Sequence, residues 1–182
     1  MILSEKHIDF ENYNRTIFLR ETIEGIIYGE IKFVFEERNA EEPTYSTKYP
    51  EIDTLDYSIY FKTQNKTIYV FWDSKFYCYG LRAKEIDLEE TPNDYEQKWD
   101  VSNTEMWINL LGKKIVDFNI VWEEVPPKTI YPQAFILKLE DESSIILSAS
   151  EFKDVHQEKA YGMSDNLLVT NNLELGKELK LI

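Results

Sequence analysis

Runs of alternating apolar and polar residues, rich in aromatic and β-branched side chains, recur along most of this chain and predict strands. Tyr57-Ser58-Ile59-Tyr60-Phe61 and Thr67-Ile68-Tyr69-Val70-Phe71-Trp72 flank the polar stretch 62–66, which makes a hairpin by composition. The same shape returns at 134–139 and 144–149, on either side of Glu140-Asp141-Glu142-Ser143. Residues 30–35 and 117–122 read as two further strands with one wet face. Helix signals are few. Ser102-Asn103-Thr104-Glu105 has capping-box spacing, and Met106, Trp107, Leu110 and Leu111 share one helical face after it. Gly112 then stands where a left-handed C-terminal residue belongs. A short helix is therefore predicted over 102–111. Residues 16–24 fit a strand or a helix, since Ile17, Leu19 and Ile23 suit either period.

The recurring hairpin points to an internal duplication. Ile23-x-Gly25, followed by Ile31-x-Phe33-Val34-Phe35-Glu36-Glu37, has a counterpart in Leu110-x-Gly112, followed by Phe118-x-Ile120-Val121-Trp122-Glu123-Glu124, at one constant spacing. Ser74-Lys75-Phe76 then matches Ser150-Glu151-Phe152, and Tyr79-Gly80-Leu81 matches Tyr161-Gly162-Met163. The order is kept and loop lengths change. The fold class predicted is mainly β: two tandem β-rich units of antiparallel strands, 1–95 and 96–182, packed as one compact body with one or two short helices. Each unit is small for an independent core, which is why they should pack together. Residues 92–100 read as the connector between them.

Composition narrows the classes. The 182 residues are 43% hydrophobic and 14% aromatic, enough for a core. The formal net charge is −14, from 34 acidic and 20 basic residues. Such a surface repels phosphate backbones, so no nucleic-acid partner is expected. Cys78 is the one cysteine, which excludes an intramolecular disulfide and a multi-cysteine zinc site. The first residues carry no basic n-region or long apolar run, and no apolar stretch approaches the roughly 18 residues of a membrane helix. The expectation is a soluble cytoplasmic protein without a membrane partner.

No residue pattern announces catalysis. His7 and His156 follow no nucleophile motif and show no metal-ligand spacing. Cys78 lies among aromatics with no adjacent base. The six glycines form no phosphate-cradling loop. The expectation is a protein that is not an enzyme and takes no cofactor. The distinctive polar feature is an acidic stretch holding Glu85, Asp87, Glu89, Glu90, Asp94, Glu96 and Asp100 against Lys84 and Lys98. A second cluster holds Glu36, Glu37, Glu41 and Glu42. Tyr45, Tyr95 and Trp99 lie beside these acids, and aromatics next to acids make protein-recognition hot spots. These residues are the candidate partner-binding set, and charge of this density speeds association with a basic protein.

Trp107-Ile108-Asn109-Leu110-Leu111-Gly112-Lys113-Lys114-Ile115, leading to Trp122-Glu123, resembles small bacterial proteins with a W-x2-L-x-G-K-x-I motif and a downstream W-E. The likeness runs through Tyr131-Pro132-Gln133-Ala134-Phe135 to Asp165-Asn166-Leu167-Leu168-Val169. Many of these proteins are uncharacterised, and some beside contact-dependent toxins are thought to be immunity proteins. The resemblance implies a β-rich framework more than a function. Taken with the acidity, the absence of a catalytic motif or export signal and the aromatic–acidic segments, it leads to the expectation of a cytosolic immunity-type protein that sequesters a basic toxin or effector by occlusion. Two other expectations stand beside it. One is a ligand-binding or scaffolding module using an aromatic-lined cleft between the units. The other is a small carboxylate or metal-dependent hydrolase.

Overall fold

A computed structural model describes residues 1–32, 45–49, 51–87, 96–152 and 160–182. It is mainly β, with two antiparallel sheets and two short helices. Helix α1 spans Glu5–Phe18. The strands are β1 (Ile23–Ile31), β2 (Ser46–Tyr49), β3 (Ile52–Leu55), β4 (Ser58–Thr63), β5 (Thr67–Asp73), β6 (Gly80–Ile86), β7 (Glu96–Asp100), β8 (Ile115–Val125), β9 (Thr129–Leu139), β10 (Ser144–Glu151) and β11 (Tyr161–Thr170). Helix α2, Leu173–Glu178, follows. One sheet has the order β6-β5-β4-β1-β7 and the other β2-β3-β11-β10-β9-β8.

Both predicted hairpins form. In β4–β5 the Thr63 N–H and hydroxyl both donate to the Lys66 carbonyl, at 2.9 Å each. In β9–β10 the Leu139 N–H reaches the Ser143 carbonyl at 2.8 Å. Each hairpin is bracketed in the same way. The run β1-β4-β5-β6 and the run β8-β9-β10-β11 are adjacent antiparallel strands in the same order. Register shifts the match, however. Phe61 and Leu137 occupy equivalent places in the hairpins, and Phe61 pairs with Ile26 while Leu137 pairs with Phe118. Ile26, rather than Ile31, is thus the structural counterpart of Phe118.

The sheets also exchange strands across the expected boundary at 95/96. β2 and β3 extend the second sheet through β11, and β7 extends the first through β1. The end of the supposed connector, Glu96–Asp100, is therefore strand, because it completes the open edge of β1.

One core joins the two sheets. Ile59, Phe61, Ile68 and Val70 from the first meet Phe118, Phe135, Leu137, Leu147 and Val169 from the second. Side chains fill this space, so the cleft expected between the units is packed interior. Helix α1 adds Phe10, Ile17 and Phe18 to the same core. Phe18 stacks on Phe118 at 5.0 Å and meets Phe61 edge-on at 6.1 Å, touching both sheets at once. On the outer side of the second sheet, Leu179 and Leu181 cover Ile52, Ile146 and Leu168. The outer side of the first carries Tyr60, Tyr69 and Phe71, stacked 4.7 and 4.6 Å apart.

The helix predicted at 102–111 is instead a chain of turns. Ser102 is not free to cap it. Its hydroxyl accepts from the Ile26 N–H at 2.9 Å, tying the segment to β1. Trp107 and Leu110 are drawn into the core, and short-range bonds such as Leu110 N–H to the Trp107 carbonyl replace a helical ladder. Gly112 does adopt the left-handed conformation, with φ 78°, and its N–H reaches the Ile23 carbonyl at 2.7 Å.

The matched Tyr-Gly pairs have a shared structural reason. A Cβ on Gly80 would come within 2.9 Å of the Pro132 carbonyl oxygen, and one on Gly162 would strike the Gln133 side chain. Gly80 lets the start of β6 lie against the Pro132 backbone of β9, and Gly162 on β11 leaves room for the Gln133 side chain reaching across β10.

Candidate binding surfaces

The acidic and aromatic candidates divide into three groups. Glu36, Glu37, Glu41, Glu42, Glu89, Glu90, Asp94 and Tyr95 lie outside the described residues. Glu85 and Asp87 are exposed at the C-terminal end of β6, where Glu85 takes Lys66 as an ion-pair partner at 3.0 Å. Glu96, Trp99 and Tyr45 turn inward.

Glu96 opens β7, and strand pairing with β1 carries its carboxylate over Gly29 onto the aromatic outer side of the first sheet. It is 8% exposed. The Tyr69 hydroxyl donates to it at 2.6 Å and the Ser58 hydroxyl at 3.1 Å, and the Tyr60 hydroxyl donates to it as well. Burial pushes the Tyr60 and Tyr69 hydroxyls far above the ordinary phenol range, and the neighbouring carboxylate adds to it. Glu96 therefore organises this sheet face from within, which removes it from the set of side chains offered to a partner. Trp99 is half-buried against the main core. Tyr45 meets Tyr28 edge-on at 5.0 Å. Tyr28 is itself locked: its hydroxyl donates to Asp53 at 2.7 Å and accepts from the Trp107 indole at 2.7 Å.

Asp56 lies near the same end of the first sheet. Its carboxylate accepts from the Ile31 N–H at 2.9 Å. Burial raises it to about 6, with Glu30 and Glu96 adding repulsion, although the bond from Ile31 pulls the other way.

His7 and Cys78 are both packed into the fold. His7 is half-buried on α1, where its Nδ1 accepts from the Ser4 N–H at 3.1 Å and its Nε2 lies 3.3 Å from the Ile130 carbonyl. Its ring stacks on Phe76 and meets Trp122 edge-on. Cys78 is buried, and desolvation pushes its thiol up. His156 lies outside the described residues. Among the described residues no group of three or more His, Cys, Asp or Glu side chains could hold a metal ion. No described helix is long and apolar enough to cross a membrane.

A charge-balanced groove and an adjoining cationic recess lie where α1 runs beside β6, the edge strand of the first sheet. A groove of about 490 Å³ there is lined by Glu5, Lys6, Asp9, Phe10, Tyr13, Lys75 and Phe76. A second recess of about 220 Å³ shares Phe10, Tyr13 and Lys75 with it and adds Arg82, Ala83 and Lys84. Lys6 lies 4.3 Å from the Phe76 ring centroid, and Lys75 lies 5.7 Å from that of Phe10. Burial lowers the Lys75 ammonium, and Arg82, Lys6 and Lys84 push the same way against Asp73. Lys75, Arg82 and Lys84 are close in sequence, and Lys6 is brought to them from the N-terminal helix.

Comparison with protein-family models, with curated proteins and with solved structures finds no match to this chain.

Proposed function

We propose that this protein is a non-catalytic binding module of the immunity type, which sequesters a basic toxin or effector by occlusion. The observation that supports it is where the acidity lies. The formal charge is −14, yet Glu30, Asp53 and Glu96 are the only buried carboxylates among the described residues. Several cations are meanwhile engaged with acids: Arg15 with Glu11 and Asp117, Lys66 with Glu21 and Glu85, Arg82 with Asp73, Lys113 with Asp141. The negative surplus is left on the surface, where it raises the on-rate for a positively charged partner and disfavours others. The acidic side chains take the place of the toxin's negatively charged substrate, and exposed tyrosines fill its pockets. Tyr77, 89% exposed on a tight turn beside Tyr79, suits that role.

The test is affinity capture from lysate of the source cells at low and high salt, followed by titration of the purified captured protein. One stoichiometric basic partner, bound more weakly at high salt and weakened by Glu85→Lys with Asp87→Lys, supports the reading. Capture of nothing by the folded protein, or of a partner indifferent to salt and to those substitutions, overturns it.

A further inference from the structure

We propose that the groove between α1 and β6 binds a small phosphate monoester. Its phosphate would sit among Lys75, Arg82 and Lys84, and its organic part would run along Phe10 and Tyr13 towards Asp9. This inference is independent of the acidic-surface reading, since it uses neither Glu85 nor Asp87.

Three elements converge on the recess. Helix α1 supplies Phe10 and Tyr13, the turn after β5 supplies Lys75, and β6 supplies Arg82 and Lys84. Arg82 is held by Asp73 at 2.8 Å, which fixes its guanidinium and offsets its charge, so the net positive charge of the recess comes from Lys75 and Lys84. Lys75 and Lys84 are exposed ammonium groups whose one described contact of this kind is with an aromatic ring, Phe10 and Phe71 respectively. Such point charges suit a phosphate dianion, whose oxygens accept from several directions. Burial lowers the Lys75 ammonium first, and Arg82, Lys6 and Lys84 add repulsion that Asp73 only partly offsets. An anion seated there would relieve that repulsion.

The shape argues for a small ligand over a polymer. The cationic part is confined to about 220 Å³, and the adjoining groove carries Glu5 and Asp9. Those carboxylates repel the next residue of an acidic peptide but accept hydrogen bonds from sugar or polyol hydroxyls. Screening over roughly 8 Å lets a small anion feel the local cations. A polyphosphate would instead meet the whole chain's negative field.

The experiment is calorimetric titration of the full chain with AMP, adenosine and inorganic phosphate at about 0.15 M salt, where screening acts over roughly 8 Å. AMP should bind one-to-one with a Kd below about 1 mM, adenosine at least about ten-fold more weakly, and phosphate should compete. Lys75→Gln with Lys84→Gln, two exposed positions, should weaken AMP about ten-fold or more, whereas Lys180→Gln should leave it unchanged. Absence of AMP binding at about 10 mM overturns the proposal, as does AMP binding that survives the double substitution. A glutamate-rich hexapeptide that binds in the groove while phosphate and AMP do not compete overturns it too, in favour of a peptide site.

Discussion

Single carboxylates in this protein do two different jobs, and each can be read out by substitution. Glu96 accepts from three hydroxyls in a nearly dry site. Removing it takes the acceptor from Tyr60 and Tyr69 and leaves Ser58 only the Gly29 carbonyl at 3.4 Å, and unsatisfied buried donors are costly. Glu96→Ala should lower unfolding free energy by about 2–4 kcal/mol in chemical denaturation, whereas exposed Glu85→Ala should change it by less than about 0.5 kcal/mol. Asp56 works against stability. Burial raises it to about 6, so the folded state holds this proton more tightly than the unfolded chain does. Its favourable contribution is complete below the ordinary aspartate range and is lost as pH rises through about 6. Asp56→Asn cannot titrate and can still accept from Ile31. The variant should therefore gain stability over the parent as pH is raised from 4 to 8. Denaturation midpoints at several pH values check this, and a constant gap between the two proteins would refute it.

At the scale of elements, α1 carries the largest consequence. Phe18 is fully buried between the sheets, stacked on Phe118 and edge-on to Phe61 and Phe135. Phe18→Ala should cost about 3–5 kcal/mol, while Ile8→Ala, on the exposed side of the same helix, should be nearly neutral. Equal losses in the two variants would mean that α1 does not bridge the sheets. The helix was also the element least legible in the sequence. Its buried stripe is Phe10, Asn14, Ile17 and Phe18, and the polar Asn14 interrupts the apolar period. The Asn14 amide donates to the Phe10 carbonyl at 2.7 Å, while its buried Oδ1 finds no hydrogen-bond partner among the described residues. Its cap pairs Ser4 with a histidine at the third helical position instead of the usual Glu or Gln. The hairpins were legible because aromatic and β-branched residues alternate around short polar turns. The segment 102–111 misled because a local capping pattern lost to a long-range bond between Ser102 and β1. The cationic recess was hidden for a related reason: the β5–β6 pairing brings Lys75 beside Arg82 and Lys84, and Lys6 joins them only once α1 docks.

At the scale of the whole molecule, charge sets the terms on which the fold persists. With 34 acidic against 20 basic residues and most described carboxylates outside the core, surface groups repel one another around neutral pH. The repulsion is long-ranged at low salt, where the screening length is about 30 Å at 0.01 M, comparable to a domain's diameter, and it falls to about 8 Å at physiological ionic strength. The compact state brings these charges closer than the unfolded chain does, so screening favours folding. Raising sodium chloride from about 0.01 to 0.3 M at pH 7.5 should therefore raise Tm by several degrees, in a range typical of a change of about 1 kcal/mol. Near pH 4.6, where the sequence is formally neutral, the same salt step should do much less. The ion pairs pull the other way, because salt weakens attraction as well as repulsion. Those pairs are mostly partly exposed, such as Arg15–Asp117 and Lys66–Glu85, and pairs of that kind contribute little each. The surplus of like charge should win. Thermal unfolding followed by circular dichroism at both pH values decides it. A flat or falling Tm at pH 7.5 would show that masked pairing, and not repulsion, dominates this surface. That result would also remove the electrostatic basis for recruiting a basic partner.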